Sequence, residues 1–305
     1  SALASNPASS LSSKLQDIES VYKSDSQQAL NLAKELSVEY PENAKVIYWL
    51  ARLYPIYSEF ELGYKYATNA LELNISAHDK TYMYLTLAYY SQFKQNIPQQ
   101  YEYLEQAIDY AKKTEDPELI VEMLSVYSGT LASNNRVDQA MDYMTQSYEL
   151  VDNVSSPDAL STMYNALCTI YLQTGHPDGA IEAMLKSIEY VMLTENTQQL
   201  SVAYYNLADI YIQTEDYEQA INAYKNSERY SRTSGDIIGI AYAYMGLGRS
   251  YLHAKQYDQA LTVLLDAKQR FLPENHIGNL IQIYGDLASV QLNLNMYEDA
   301  QDSLA

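Results

Sequence analysis

Few residues of this chain stand at spacings that could do chemistry. The four histidines, His78, His176, His253 and His276, never fall a helical turn apart, so no turn brings two imidazoles to one metal ion, and no His-Glu-x-x-His occurs. Three of them lie at or near expected turns, where a solvated structural histidine suffices. Cys168 is the only cysteine, which excludes an internal disulfide. No basic neighbour on its helix would lower its pKa toward the thiolate, so an inert buried thiol is expected. Gly246-Leu247-Gly248 has the look of a phosphate-binding glycine loop, but it lies inside a helical pattern with no strand before it. The acidic pairs Glu115-Asp116 and Glu215-Asp216 fall in turns, where capping accounts for them. No nucleophile, base and oxyanion donor come together, so no enzyme activity, metal or cofactor is expected of this segment.

What the sequence does repeat is structure. Alanines at 140, 180, 220, 260 and 300 fall forty residues apart. Tyr164, Tyr204, Tyr244 and Tyr284 keep the same step, as do Leu167, Leu207, Leu247 and Leu287. Self-similarity of this length predicts stacked helix pairs. In residues 201–240, Tyr204, Leu207, Ala208 and Tyr211 recur at three- and four-residue steps and form one apolar helix face. Thr214-Glu215-Asp216 breaks that helix, and a second begins at Tyr217, carrying Ala220, Ile221, Tyr224 and Ser227 inward. Thr233-Ser234-Gly235-Asp236 supplies the turn to the next pair. Acidic residues at the second-helix starts, such as Asp138, Glu218 and Asp258, suit the positive end of the helix dipole. Small residues at one first-helix position (Ala88, Ser128, Cys168, Ala208, Gly248) and alanines on the second helix let the axes approach to about 8–9 Å.

Bulk composition narrows the partners. The 305 residues carry 39 acidic and 19 basic side chains, a net charge of −20, which argues against a surface that neutralises phosphates. Nucleic acid and anionic lipid are therefore not expected as direct partners. No apolar run approaches the roughly 20 residues of a spanning helix. Tyrosine is over-used, with 32 against 3 Phe and 1 Trp. A ring with a hydroxyl suits a thin array whose side chains lie half inside with one edge wet.

The pattern resembles the tetratricopeptide repeat (TPR) family, which places an aromatic at repeat position 4, Leu at 7, small residues at 8 and 27, Ala at 20 and a bulky residue at 24. Counted from Ser201, the chain reads Tyr204, Leu207, Ala208, Tyr211, Ala220, Tyr224 and Ser227; counted from Ala241, it reads Tyr244, Leu247, Gly248, Tyr251, Ala260, Leu264 and Ala267. The resemblance implies an all-α fold, a right-handed solenoid of seven to eight helix pairs occupying residues 11–305, after a disordered segment 1–10. The usual 34-residue step appears only from Ala29 to Gly63 and settles at 40 beyond Gln100, a longer repeat like that of signalling proteins. The first pair is degenerate: Leu11, Leu15, Ile18 and Tyr22 form an apolar stripe, and it ends on Pro41. The last pair is expected to be cut short at Ala305, leaving the face of Tyr284, Leu287 and Leu294 half covered and open to a second copy in a homodimer.

By the same resemblance, the inner wall is lined by first-helix positions 2, 5, 9, 12 and 13. These bring Tyr82 and Tyr89 in one repeat, Asn165 and Gln173 in another, Tyr205 and Asp209 in the next, then Tyr242, Arg249 and His253. Such a lining implies a protein or peptide partner, or a small molecule. The competing reading for Tyr205 and Tyr242 is that they only pack between neighbouring first helices. Lys45, Arg52 and Arg249 are the only lysine or arginine residues at wall positions, so the family's clamp for C-terminal carboxylates is not assembled. Pro55 is expected to end or bend its helix. The serine- and alanine-rich opening, Ser1 to Ser13, looks like a mature N-terminus after signal cleavage or a cloning remnant. Together these features resemble the periplasmic sensor regions of bacterial diguanylate cyclases and related membrane signalling proteins, anchored by a membrane segment outside this sequence. The alternative is a free-standing cytoplasmic scaffold or peptide-responsive regulator.

Overall fold

The structure, a computed structural model, describes residues 7–273 and 276–304, and among these it holds sixteen α-helices and no strand. The helices run in pairs. The first are α1 (Pro7–Val21) with α2 (Ser26–Glu39), α3 (Ala44–Leu53) with α4 (Phe60–Leu71), α5 (Ala77–Phe93) with α6 (Ile97–Lys112), and α7 (Pro117–Ser133) with α8 (Val137–Leu150). They continue with α9 (Pro157–Gln173) and α10 (Pro177–Met192), α11 (Thr197–Gln213) and α12 (Tyr217–Ser234), α13 (Ile237–His253) and α14 (Tyr257–Phe271), then α15 (Ile277–Asn293) and α16 (Tyr297–Leu304). Of the ten residues expected to be disordered, 1–6 lie outside the described residues and 7–10 begin α1.

The chain divides into two compact units, residues 1–166 and 167–305, the division falling inside α9. In the second unit the antiparallel sense of a pair is fixed by side chains. Tyr224 on α12 meets Asp209 on α11, and Ser231 near the end of α12 meets Ser201 near the start of α11 at 2.5 Å. First helices of successive pairs run parallel, because Arg249 reaches Asp286 and Asn279 reaches Tyr242, each 37 residues away. In the first unit, Lys23 after α1 pairs with Asp158 at the start of α9.

The turns show why the chain reverses where it does. Asn96, Asp116, Asn196, Asp216 and Asp236 each cap the following helix by accepting a backbone N–H. One residue ahead of each, the backbone enters the left-handed region: Gln95, Glu115, Glu195 and Glu215 at φ of 56–60° and Gly235 at 73°. Gln95, Asn135, Gly175, Glu215, Lys255 and Asn295 therefore form a forty-residue ladder of left-handed turn residues.

The packing turns on the small residues. Cys168, Ala208 and Gly248 are buried. A Cβ on Gly248 would run into the side chain of Leu264, itself fully buried, whereas a Cβ on Gly285 would meet nothing within 4 Å. Both glycines are helical, so alanine gains about 1 kcal/mol of propensity at either site, while overpacking a tight core costs about 1–3 kcal/mol. Gly248→Ala is expected to destabilise by up to about 2 kcal/mol and Gly285→Ala to stabilise by up to about 1 kcal/mol, read from urea midpoints. At the last pair, Leu287 is buried and Tyr284 and Leu294 are half-buried, while Ile277, Ile281, Leu292, Tyr297 and Leu304 are exposed.

Candidate functional site

In the first unit the wall positions build a cleft. The α3 helix stops at Leu53 because Pro55 cannot continue it, and residues Tyr54–Tyr57 form a single 3-10 turn. That break was read from sequence as a bend alone; the structure also sets Pro55 and Ile56 into the wall of a cavity of about 330 Å³. Phe60, Leu85 and Thr86 complete its sides, and Arg52, Tyr82, Tyr89 and Glu122 supply its polar groups. Tyr82 and Tyr89, read from sequence as wall residues, both line this cleft.

Arg52 is held by aromatic faces rather than by an acid. Its guanidinium lies 3.9 Å from the Tyr82 ring centroid and 5.5, 5.6 and 5.7 Å from those of Tyr22, Tyr48 and Trp49. One hydrogen bond is made, from Nη1 to the Tyr48 hydroxyl at 2.9 Å. Among the described residues no carboxylate comes within ion-pair distance of it. Burial works against its charge, yet the phenolic oxygens of Tyr48, Tyr82 and Tyr22 and the Glu122 carboxylate hold its pKa above the ordinary arginine value. The other cation of this helix, Lys45, is already spent on Asp79, with Nζ at 2.8 Å from both carboxylate oxygens.

Glu122 faces the same cleft from α7. The Tyr82 hydroxyl donates to its Oε2 at 2.9 Å. Burial raises the Glu122 pKa, and the nearby Arg52 charge and the Tyr82 hydrogen bond only partly offset that. A cation and an anion thus both rest on Tyr82 in the cleft, one over its face and one at its hydroxyl. Sequence reasoning counted Arg52 among the wall positions but assigned neither it nor Glu122 to the site. The signal was present: Glu122 follows Tyr82 by 40 residues and holds the same repeat position, and Tyr48 and Trp49 lie one turn before Arg52.

In the second unit Tyr205, Asp209, Tyr242 and Arg249 come together, but as a packed network. The ring of Tyr205 meets Tyr224 and Tyr242 edge-on at 5.4 and 6.2 Å. Burial and the Asp209 charge push the Tyr205 hydroxyl up to about 12. Tyr224 donates to Asp209, whose carboxyl is nonetheless raised by burial. Tyr242 accepts from Asn279 at 3.1 Å and packs edge-on to Phe271. Arg249 reaches Asp286 at 3.2 Å and Gln282 at 3.4 Å. Tyr205 and Tyr242 each touch a neighbouring first helix and the second helix of their own pair, contacts of the kind the competing reading expects. His253 is exposed and stacks on Tyr217 at 5.0 Å, away from this network. Gln173 is exposed near the end of α9, and Asn165 is exposed earlier on that helix, in the first unit.

The remaining reactive groups have structural settings. Burial raises the Cys168 thiol to about 12, which suppresses the thiolate. His176 bonds Thr174 at 3.0 Å, His276 meets the edge of Phe271, and His78 meets Tyr82. Among the described residues no three His, Cys, Asp or Glu side chains gather as a metal site.

Family profiles for the tetratricopeptide repeat match residues 158–232 and 205–275. Residues 158–275 carry tetratricopeptide repeats. Tetratricopeptide repeats form a non-catalytic interaction fold, and the antiparallel pairs described above are that fold. Solved structures agree. A signal-transduction ATPase with numerous domains from Pyrococcus horikoshii, whose tetratricopeptide repeats are named a sensor, superposes with a TM-score of 0.71 at 16% identity, over 93% of this chain and 45% of that one. A Rap protein solved with competence and sporulation factor gives 0.58 at 15% identity, over 95% of this chain and 100% of the other. BtubC from P. vanneervenii gives 0.58 at 19% identity, over 68% and 87%. The chain thus spans less than half the length of the Pyrococcus protein. At these identities the likeness concerns the fold. No curated protein matches the chain in sequence.

Proposed function

We propose that this chain is a ligand-binding interaction module that uses the wall of parallel first helices, and that it forms the extracytoplasmic sensor region of a bacterial membrane signalling protein such as a diguanylate cyclase. The observation that carries the binding reading is the open cleft of the first unit, where an arginine with four unused N–H groups and a glutamate with a free oxygen face apolar walls. Pockets that bind small ligands or peptide side chains combine apolar lining with few, placed polar groups. The sensor reading draws support from the named sensor role of the Pyrococcus repeats and from the competence and sporulation factor bound by the Rap protein. Ligand would act by favouring one curvature of the repeats over another, which requires different affinity for the two states. The Rap likeness, which extends over that whole chain, favours a second reading, a free-standing cytoplasmic regulator.

Two measurements test these readings. The gene sequence beyond position 305 separates the sensor from the regulator: an apolar stretch of ~20 residues supports the first, and a stop codon or a DNA-binding domain supports the second. A screen of short peptides and metabolites against the purified protein tests the wall itself. Tyr89→Ala, Tyr205→Ala and Arg249→Ala are the variants, and at least one is expected to weaken a hit by about tenfold, a typical loss for a buried contact. Equal binding by all three would place the site elsewhere.

A further inference from the structure

We propose that the cleft between α3, α5 and α7 is a receptor site for a free apolar α-amino acid, with Arg52 receiving its carboxylate and Glu122 its ammonium group. This names the ligand class of the binding reading above and rests on it. The argument begins with what the cleft leaves unused. Arg52 carries five N–H donors and gives one to Tyr48. Glu122 has one oxygen bound by Tyr82 and the other without a hydrogen bond. Both line the cleft, and no direct ion pair joins them.

A single phenol ring separates the two charges. Arg52 lies 3.9 Å over the face of Tyr82 and Glu122 accepts from its hydroxyl at 2.9 Å, so the two charges sit around one ring, beyond ion-pair distance of each other. An α-amino acid holds its ammonium and carboxylate two bonds apart, and charge-assisted hydrogen bonds of roughly 2.8 Å at either end let it bridge such a gap. A dianion would be repelled by Glu122 and a simple cation by Arg52, so a zwitterion matches the pair. The rest of the cleft selects the side chain. Pro55, Ile56, Phe60 and Leu85 present no charge, and about 330 Å³ admits one amino acid with an aliphatic or aromatic side chain. Desolvation on entry strengthens both charged contacts, since neither competes with bulk water once the apolar side chain seals the opening.

The test is isothermal titration calorimetry on the purified chain with L-leucine and L-phenylalanine. N-acetyl-L-leucine lacks the ammonium group, L-leucinamide lacks the carboxylate, and the dipeptide Leu-Leu keeps both charges but separates them. Leucine or phenylalanine is expected to bind, with each blocked analogue and the dipeptide weaker by at least ~10-fold. Glu122→Gln keeps volume and should reduce leucine binding as strongly as acetylation does, while leaving N-acetyl-L-leucine unchanged. Arg52→Gln should do the converse, and circular dichroism identifies it if it fails to fold, in which case Glu122→Gln decides alone. Binding of N-acetyl-L-leucine as tight as leucine, or a Glu122→Gln variant with wild-type affinity, would overturn the proposal. Tighter binding of the dipeptide, or of other short peptides but neither amino acid, would overturn it too and leave the wider binding reading standing. No binding by these probes or by any compound of the wider screen would remove both.

Discussion

Replacing Phe271 by alanine is expected to remove about 3–5 kcal/mol of stability, the range for deleting a buried aromatic ring. Phe271 is the last residue of α14 and is fully buried. Its ring meets Tyr242 edge-on at 5.1 Å and His276 at 5.3 Å, so it packs against the first helix of its own pair and the start of the next. Such rings contribute about 0.5–1.5 kcal/mol per edge-to-face contact beyond their area. Because each repeat gains stability mainly from its neighbours, the loss should be local: amide exchange should rise through α13, α14 and α15 and stay unchanged in α5 and α6. The urea transition should split or broaden rather than only shift. A stability change below about 1 kcal/mol would mean that the turn after α14 refills the space, and the account of this ring as a keystone would be wrong.

The fold was legible because the feature that builds it is periodic. Ala220, Leu207 and Gly248 are small or bulky where a helix crossing needs them, and a forty-residue step shows that in one sequence. Turn geometry was half legible. Asp216 and Asp236 announce their helices as caps, but the left-handed residue before each is Glu215 in one turn and Gly235 in the other. At Gln95, Glu215 and Lys255 the sequence spends an ordinary residue on a conformation that glycine adopts freely, so no residue type marks it.

The site was legible as a wall and not as a cavity. Positions carried over from the repeat pattern say which side chains face inward; they do not say which of them find partners. Tyr205, Tyr242 and Arg249, read as wall residues, are engaged within their unit, whereas Arg52, counted only as a wall cation outside any carboxylate clamp, lines the open cleft. The difference lies in Pro55. By stopping α3 early it turns the chain into a 3-10 turn, which leaves room beside Arg52 that no regular repeat would leave. A break in the periodicity made the cleft, and the averaged pattern hides such breaks.

Acid should unmask a second large effect, centred on Asp79. This residue is buried at the start of α5 and pairs with Lys45, half exposed on α3, so it ties two neighbouring first helices together. Burial alone would raise its pKa, but hydrogen bonds from His78, Lys45 and Ser76 and the Lys45 charge outweigh burial and hold it at about 2. A carboxyl whose folded pKa lies below its unfolded value of 3.8 adds stability that is fully present above pH 3.8 and is lost as pH falls through about 2. Discounted for the exposed lysine, the contribution is about 1–2 kcal/mol at neutral pH. Asp79→Asn should therefore cost about that much at pH 7 and almost nothing near pH 2, measured as the difference between the urea stabilities of the two proteins. Taking the difference matters here, because the net charge of −20 at pH 7 falls away on acidification and turns positive below the isoelectric point of about 4.4, and this changing self-repulsion would otherwise hide one carboxylate. That background cancels between variant and parent. A penalty for Asp79→Asn that stays constant from pH 7 to pH 2 would show that the side chain acts through shape and hydrogen bonding, with its charge contributing nothing to the joint between α3 and α5.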